Sequence, residues 1–194
     1  MLAMLDLAMD ALHAGGHVGQ ILSGLINSFD ARRAGLTAGE WKEWIAEEVR
    51  PHPLYPELLE DPFVRHSATR PRGYPGDAEL LDFIYRNPNV RARIDAASPL
   101  GQRLYRFSCE TPAPEAVRLR SALAAAEIDR AAAHGRRPHI LSVACGHLRE
   151  APIVRSLAAG TLGRYVGADQ DPQSLDLVRR EYGSLGVEAV EFSV

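Results

Sequence analysis

The sequence has few of the residues that would direct it to a nucleic acid, a membrane or an oxidising compartment. Lys42 is its only lysine, and the formal net charge is -3. No run of about eighteen apolar residues could form a membrane span, and the apolar N-terminus carries Asp6 and Asp10 without the cationic start of a signal peptide. The two cysteines, Cys109 and Cys145, fit no metal-binding spacing. These absences predict a cytoplasmic protein that binds neither nucleic acid nor metal and does not span a membrane.

The first part of the chain has the apolar spacing of amphipathic helices. This spacing predicts helices over residues 2–14, 18–34, 38–49 and 90–107. Thr37 and Glu40 have the spacing of a capping box for the third of these helices. We therefore expect an α-helical extension over residues 1–112.

A proline-rich stretch over residues 50–77 is predicted to be loop with short helices. It contains the octapeptide Arg70-Pro-Arg-Gly-Tyr-Pro-Gly-Asp77, and Asp77 is placed to cap a helix over residues 78–86. Because rigid loops often carry binding groups, three residues of the octapeptide are candidate functional groups: Arg72, Tyr74 and Asp77. Alternatively, Arg72 pairs with Asp77 or Asp82 and only locks the turn.

The remainder of the chain has the pattern of a parallel α/β fold. A helix over 114–134 leads into a β-α-β-α-β sequence. The predicted strands cover residues 139–144, 164–168 and 187–194, and the predicted helices between them cover residues 149–159 and 172–185. We therefore expect a sheet region over residues 113–194.

The stretch His139–Glu150, HILSVACGHLRE, has features of a nucleotide-binding turn. An apolar strand ends abruptly at Cys145-Gly146-His147, and Asp169 closes the second strand, where an acid can hold ribose hydroxyls. A dinucleotide fingerprint has three spaced glycines, but only Gly146 is present here. The shortage of glycine disfavours a pyrophosphate and favours a ligand with one nucleoside and no phosphate.

The segments Val143-Ala-Cys-Gly-His147 and Val166-Gly-Ala-Asp-Gln-Asp171 resemble class I S-adenosylmethionine-dependent methyltransferases. The octapeptide, Glu110-Thr-Pro112 and Ala116-Val-Arg118 resemble a bacterial subgroup of that family with an N-terminal helical extension. Some members of this subgroup are assigned to hydroxy-fatty-acid methyl ester biosynthesis. The resemblance covers roughly residues 50–194.

The resemblance implies a Rossmann-like fold that binds S-adenosylmethionine between the turn after strand one and the acid after strand two. Asp169 would hold the ribose, and either Gln170 or Asp171 would lie near the adenine edge. The residues implied for the cofactor are Ser142, Ala144, Cys145, Gly146, Asp169 and Gln170. Ser142 stands where the family often has an acid, so Glu150 is either its substitute or an exposed acid in a first helical turn.

Methyl transfer is an in-line displacement at a sulfonium, for which alignment and exclusion of water matter more than a general base. The helical extension is therefore the expected lid. The catalytic candidates are Tyr74, Asp77 and His147, and the substrate-binding candidates are Arg72 and Tyr105. Tyr74 would contact the sulfonium or orient the acceptor, and Arg72 would bind a carboxylate. His147 is either a base beside the turn or a histidine near solvent that takes no part.

The predicted strands amount to the first half (β-α-β-α-β) of a Rossmann-like methyltransferase sheet, truncated after the third strand. The resemblance implies further strands that contact adenine and substrate. Either a missing C-terminal half or a partner chain is expected to complete the sheet, because an exposed third strand would favour aggregation.

The leading functional hypothesis is S-adenosylmethionine-dependent methyl transfer to a carboxylate or hydroxyl group of a small molecule. One alternative is cyclisation of the same cofactor, in which its amino nitrogen attacks intramolecularly and methylthioadenosine leaves. Another is a non-catalytic partner or regulatory domain. A nicotinamide enzyme is disfavoured by the missing glycines.

Overall fold

A computed structural model describes residues 2–135 and 137–192, which divide into two compact units. The helical unit comprises Met1–Pro71 and Arg91–Thr111, and the sheet unit comprises Arg72–Val90 and Pro112–Val194. The segment Arg72–Val90, which contains most of the octapeptide, therefore belongs with the strands. In this respect the units differ from the expected division, which placed all of residues 1–112 in the extension.

Helices account for most of the described chain. Those before the first strand are α1 (Leu2–His13), α2 (Val18–Ala34), α3 (Ala38–Trp44), α4 (Leu54–Leu58), α5 (Pro62–Thr69), α6 (Ala78–Tyr85), α7 (Pro88–Asp95), α8 (Pro99–Glu110) and α9 (Pro112–Ala132). The predicted helices over 2–14, 18–34 and 38–49 are confirmed, and the third ends in a π-helical turn, Ile45–Val49. Among the described helices, none combines the length and apolar character needed to cross a membrane.

Local side-chain contacts begin several of these helices. The predicted capping box before α3 is confirmed: Thr37 Oγ1 accepts the Glu40 N–H at 3.3 Å, and Glu40 Oε2 accepts the Thr37 N–H at 2.8 Å. The helix predicted over 90–107 is instead two helices, α7 and α8. Pro99 starts the second one and Ser98 caps it, since proline suits a first helical turn.

The sheet unit contains a parallel sheet with the order β1 (His139–Val143), β2 (Arg164–Asp169) and β3 (Val187–Glu191). The three predicted strands are confirmed over the described residues, and the last two positions predicted for β3, residues 193 and 194, lie outside them. The helices between the strands are α10 (Arg155–Ala158) and α11 (Pro172–Tyr182). The chain is thus a mostly helical α/β protein.

The two faces of the sheet have different surroundings. Ile140, Tyr165 and Val187 lie side by side on one face, where residues of α9, α10 and α11 complete a buried cluster. Leu141 and Val143 point to the other face and are 64% and 60% exposed. Because parallel sheets are usually covered on both faces, the second face is an apolar surface that the described residues leave open.

The helical unit has its own core. Leu5, Leu25 and Leu104 belong to a buried cluster formed by α1, α2, α4 and α8. The ring of Trp44 is buried and packs edge-on against Phe29, with 5.5 Å between ring centroids. The apolar stripes predicted from the sequence therefore face a core within this unit.

Candidate functional site

A pocket of about 300 Å³ lies in the sheet unit, where the three parallel strands end. Val143 is the last residue of β1, Asp169 the last of β2, and Phe192 follows β3. The pocket is lined by Tyr74, Gly76, Ala78, Leu81, Val143, Ala144, Gly146, Ala168, Asp169, Gln170 and Phe192. Open α/β sheets bind ligands at the carboxyl ends of their strands, so this pocket is the candidate functional site.

The turn after β1 has a constrained backbone. Ala144, Gly146 and Leu148 have φ angles of 53°, 52° and 49°, a region that non-glycine residues adopt only rarely. The helix predicted over 149–159 is wrong, because a 3-10 turn, Ala151–Ile153, and the four-residue α10 stand in its place. The left-handed backbone of Leu148 and a proline without an N–H in the 3-10 turn prevent a regular helix there.

Three amide groups of this turn donate hydrogen bonds within the protein. The N–H of Cys145 donates to the Ala168 carbonyl at 3.1 Å, and the N–H of Gly146 donates to Asp169 Oδ2 at 2.7 Å. The N–H of Leu148 donates to the Cys145 carbonyl at 2.9 Å. Turns that bind phosphate direct such amides at the ligand from a helix N-terminus. In this turn those three amides point at protein oxygens, and no regular helix begins directly after it. Both properties agree with its shortage of glycine.

Asp169 connects the turns that follow β1 and β2. Its Oδ2 accepts the Gly146 N–H and its Oδ1 accepts the Asp171 N–H at 2.9 Å. The residue is only 8% exposed, yet it lines the pocket. A carboxylate has about four lone-pair sites, so Asp169 retains the capacity to accept hydrogen bonds from a ligand hydroxyl.

Gly146 is required where α6 approaches the turn. A Cβ atom at Gly146 would lie 3.0 Å from the Cβ of Ala78, the first residue of α6. Its φ of 52° also favours glycine. The single glycine of the turn therefore allows α6 to form one wall of the pocket.

Arg72 of the octapeptide forms an ion pair with Asp171, the residue that precedes α11. Its Nη1 donates to Asp171 Oδ2 and also to Ser174 Oγ at 2.8 Å, and its Nη2 lies 3.3 Å from His147 Nε2. Burial opposes the charge on each partner, but the hydrogen bonds and neighbouring charges together outweigh it, so the pKa of Asp171 is lowered and that of Arg72 raised. Arg72 is thus paired with Asp171, an acid that was not among those expected for a locked turn, and the charge of Asp77 also acts on it.

Tyr74 reaches the same carboxylate. Its hydroxyl donates to Asp171 Oδ2 at 3.2 Å, while the residue lines the pocket. Burial, followed by the charge of Asp171, raises the pKa of Tyr74 to about 12. The phenol is therefore protonated at neutral pH and is a hydrogen-bond donor.

His147 is buried and not close to solvent, which corrects one of its two expected environments. It is 4% exposed, and its Nδ1 lies 2.8 Å from Asp82 Oδ2. Because Arg72 can only donate, Nε2 of His147 is assigned as an acceptor and Nδ1 as the N–H donor to Asp82. Both ring nitrogens are engaged within the protein, and His147 does not line the pocket.

A buried ionic cluster around Asp82 was not predicted from the sequence. Arg149 donates to both oxygens of Asp82 at 2.6 and 2.8 Å, and also to Glu181 at 2.5 Å. Burial opposes ionisation of Asp82, but hydrogen bonds from His147 and Arg149 prevail and lower its pKa. Asp82 lies on α6 and Arg149 follows β1, so no local pattern in the sequence relates them.

Three of the other residues near the turn contact one another instead of lining the pocket. Ser142 Oγ donates to Glu150 Oε1 at 3.3 Å, and the Tyr165 hydroxyl lies 3.4 Å from the same oxygen. Glu150 is half-buried and not the exposed acid of a helical turn.

Burial, followed by the charges of Asp169 and Glu150, raises the pKa of Cys145 to about 12. The Cys145 thiol is therefore protonated at neutral pH.

Asp77 and Tyr105 have different locations. The Asp77 side chain accepts the Leu80 N–H at 2.8 Å and caps α6, as predicted, and the residue is 1% exposed. Tyr105 is buried in α8 and belongs to the helical unit. The pocket in the sheet unit thus brings together five of the predicted site residues: Tyr74, Ala144, Gly146, Asp169 and Gln170.

Comparison of the chain with known protein families, with curated protein sequences and with solved structures gave no match.

Proposed function

We propose that the sheet unit is the first half of a Rossmann-like methyltransferase sheet and that its pocket binds S-adenosylmethionine for methyl transfer to a small molecule. One observation carries this proposal. Among the described residues of the pocket lining, Asp169 is the only acidic one, and none is arginine, lysine or histidine. A negatively charged, cation-free pocket favours a sulfonium nucleoside over a phosphate-bearing one.

The amides of the turn support the same choice of ligand. Gly146 donates its N–H to Asp169 and leaves no phosphate cradle, whereas ribose hydroxyls can donate to the remaining lone pairs of Asp169. Tyr74 and Phe192 place aromatic rings in the lining, and aromatic rings attract cations. Gln170 also lines the pocket, and its side-chain amide can both donate hydrogen bonds to a base edge and accept them from it.

The acceptor is proposed to be a carboxylate or a hydroxyl group. A carboxylate attacks the methyl group without a general base. A hydroxyl acceptor needs one, but the Tyr74 phenol is protonated and both nitrogens of His147 are engaged by Arg72 and Asp82. The described side chains therefore favour an acceptor that is already ionised. From the expected lid, Tyr74, Gly76, Ala78 and Leu81 line this pocket.

The size of the pocket supports a second candidate, cyclisation of S-adenosylmethionine with loss of methylthioadenosine. About 300 Å³ is the lower end of the range for pockets that bury a drug-sized ligand. Such a pocket leaves little room for an acceptor beside the cofactor. Product analysis after incubation with S-adenosylmethionine separates the two reactions: adenosylhomocysteine indicates methyl transfer, and methylthioadenosine indicates cyclisation.

Calorimetry with adenosylhomocysteine tests the site itself. Asp169→Ala should weaken binding at least about tenfold, or about 1.4 kcal/mol, because it removes a charge-assisted contact to the ribose. Asp169→Asn is the milder variant, and Asp176→Ala, an exposed acid on α11, is the control that should bind like the wild type. Unchanged affinity in folded Asp169 variants would place the site elsewhere. A wild-type chain that binds neither S-adenosylmethionine nor adenosylhomocysteine would favour a non-catalytic partner or regulatory role.

A further inference from the structure

Asp171 is hydrogen-bonded to an unusual number of groups for a residue outside the pocket lining. Its Oδ1 accepts the Gln173 N–H at 2.9 Å, and its Oδ2 contacts the Arg72 guanidinium, the Ser174 hydroxyl at 3.0 Å and the Tyr74 hydroxyl at 3.2 Å. We call Arg72, Tyr74, Asp171 and Ser174 the latch. Asp171 is 8% exposed, Ser174 is 0% exposed and the Arg72 side chain is 12% exposed, so water cannot readily replace these contacts.

The latch is directly connected to the acid expected to bind ribose. The backbone N–H of Asp171 donates to Asp169 Oδ1 at 2.9 Å, and Asp169 lines the pocket. Tyr74 lines the same pocket from the opposite end of the latch. A displacement of Asp171 therefore affects one ligand-facing carboxylate and one ligand-facing aromatic ring together.

The backbone on either side of Tyr74 adopts a conformation that close packing does not impose. Gly73 and Gly76 have φ angles of 82° and 73°, and an added Cβ at either would meet no atom within 4 Å. Glycine is therefore present for its conformation and not because of crowding. Glycine is also the residue with the largest conformational freedom in the absence of restraints, so residues 73–76 depend on the latch for their position, whereas Asp77 is held by its cap on α6.

A buried ion pair is weak evidence for stabilisation, because desolvation of both charges offsets much of their attraction. A hydrophobic pair would hold the segment at least as firmly. The charged pair differs in that its hydrogen bonds are directional: Arg72 Nη1 donates to Asp171 Oδ2 and to Ser174 Oγ, and Nη2 faces His147 Nε2. This favours a role in orientation.

We propose that Arg72 and Asp171 are positioning residues that hold Tyr74 against the pocket and couple the order of residues 72–77 to occupancy of the cofactor site. The proposal rests on the proposed function. Ligand bound to Asp169 restrains Asp171 through the Asp169–Asp171 hydrogen bond, and Asp171 restrains Arg72 and Tyr74. Binding and closure of the segment then favour each other reciprocally.

Two measurements on the whole chain test the proposal: calorimetric affinity for adenosylhomocysteine and hydrogen exchange of residues 72–77. Asp171→Asn keeps a helix-capping side chain but removes the charge. We expect it to speed exchange of residues 72–77 in the free protein and to weaken binding about fivefold or more, the lower range for coupled sites. Asp176→Asn, which breaks an exposed pair on the same helix, is the matched control and should change neither.

Milder variants keep the test informative if Asp171→Asn does not fold. Tyr74→Phe removes only the hydroxyl contact to Asp171, and we expect it to speed exchange of residues 72–77 while the ring remains in place. In a double-mutant cycle, Arg72→Gln and Asp171→Asn should be less than additive in affinity, because either one opens the same latch.

The outcomes separate this proposal from the proposed function. Weaker binding by Asp169→Ala together with wild-type binding by the latch variants overturns the positioning role and leaves the function intact. Faster exchange without loss of affinity overturns the coupling, since the latch would then be structural only. Unchanged exchange in Asp171→Asn and Tyr74→Phe overturns the proposal whether or not the protein binds ligand. No binding by the wild type overturns the function, and with it the coupling.

Discussion

Asp61 of the helical unit and Asp82 of the sheet unit are both buried carboxylates, but they have different kinds of partner. In the helical unit, Asp61 is fully buried and its Oδ1 accepts the N–H of Phe63 at 2.8 Å, two residues further along the chain. In the sheet unit, Asp82 is equally buried, but its partners His147 and Arg149 are 65 and 67 residues away. The cap on Phe63 forms with its helix, and the Ser108 side chain of α8 adds one distant hydrogen bond to Asp61. The His147 and Arg149 contacts of Asp82, by contrast, form only when distant segments meet. We therefore expect the sheet unit to depend more on single charged residues.

The turns after β1 and β2 show the same contrast within the sheet unit. After β2, Asp171 caps α11 and Pro172 occupies its first turn, so the helix start follows from adjacent residues. After β1, the turn is determined by the amide of Gly146 on Asp169, 23 residues away. The helix start after β2 is predictable from the sequence, and the closed turn after β1 is not.

The largest expected effect is that of Asp82→Ala. It leaves Arg149 and His147 buried without their carboxylate, and breaking a buried ion pair in this way costs about 3–5 kcal/mol. Urea unfolding measures the loss of stability, and hydrogen exchange should locate it in peptides of the sheet unit. The control is Asp95→Ala in the helical unit, which breaks the exposed Arg91–Asp95 pair and should change stability little. Equal losses of unfolding free energy in the two variants would contradict the expectation that the sheet unit depends more on single charged residues.

Acid should affect the stabilising contributions of Asp82 and Asp61 in opposite directions. The folded pKa of Asp82 is lowered from the unfolded value, about 3.9. Its stabilising contribution is therefore present above about pH 4 and is lost as the pH falls through the folded pKa. Burial raises the pKa of Asp61, so its contribution is fully present below about pH 4 and is lost as the pH rises through the raised value.

Urea midpoints of Asp61→Asn and Asp82→Asn at pH 4 and pH 7 measure this difference, which amounts to about 1.4 kcal/mol for each unit of pKa change. Asp61→Asn should be best tolerated at pH 7, because asparagine keeps the cap without a buried charge. Asp82→Asn should be least tolerated at pH 7. The same pH trend in both variants would contradict the assignment.

The smallest effect is expected at a local cap of the helical unit. Thr37→Ala removes the hydroxyl that accepts the Glu40 N–H and should cost about 1 kcal/mol. Thr69→Ala is the matched control: its hydroxyl contacts a carbonyl inside α5, and an exposed substitution of this kind should stay within about 0.5 kcal/mol. Thermal unfolding followed by circular dichroism resolves the two values. If Thr37→Ala lowered the free energy of unfolding as much as Asp82→Ala, a local cap would stabilise the helical unit as strongly as the Asp82 cluster stabilises the sheet unit.

Most of the secondary structure was predictable because its signals are local. The apolar spacing of α1 and α2, the capping box at Thr37 and the cap at Asp77 each lie within a few residues of the structure they begin. The helix over 149–159 was predicted wrongly from the same kind of signal. Just before it, the Gly146 N–H is bound to Asp169, and its first residue, Arg149, pairs with Asp82. Long-range contacts of this kind override a local preference.

The candidate site was predictable in its residues more than in its contacts. Asp169 and Gly146 follow from their positions at the ends of strands, and Tyr74 from its rigid loop. That Arg72 faces Asp171 and not a ligand, and that His147 faces Asp82, could not be deduced. Arg72 could pair equally well with a protein carboxylate or with a ligand carboxylate. Which of the two it contacts depends on where α6 and α11 begin relative to the sheet.

The sequence by itself determined where most helices and strands begin, that the strands are parallel and apolar, and that the turn after β1 lacks the glycines of a phosphate site. These properties depend on side chains a few residues apart and on backbone preferences. The tertiary structure alone decided that most of the octapeptide belongs with the sheet, that Asp82 lies in a buried ionic cluster and that Asp171 holds Arg72 and Tyr74. Partners 65 to 99 residues apart along the chain are brought together only by packing.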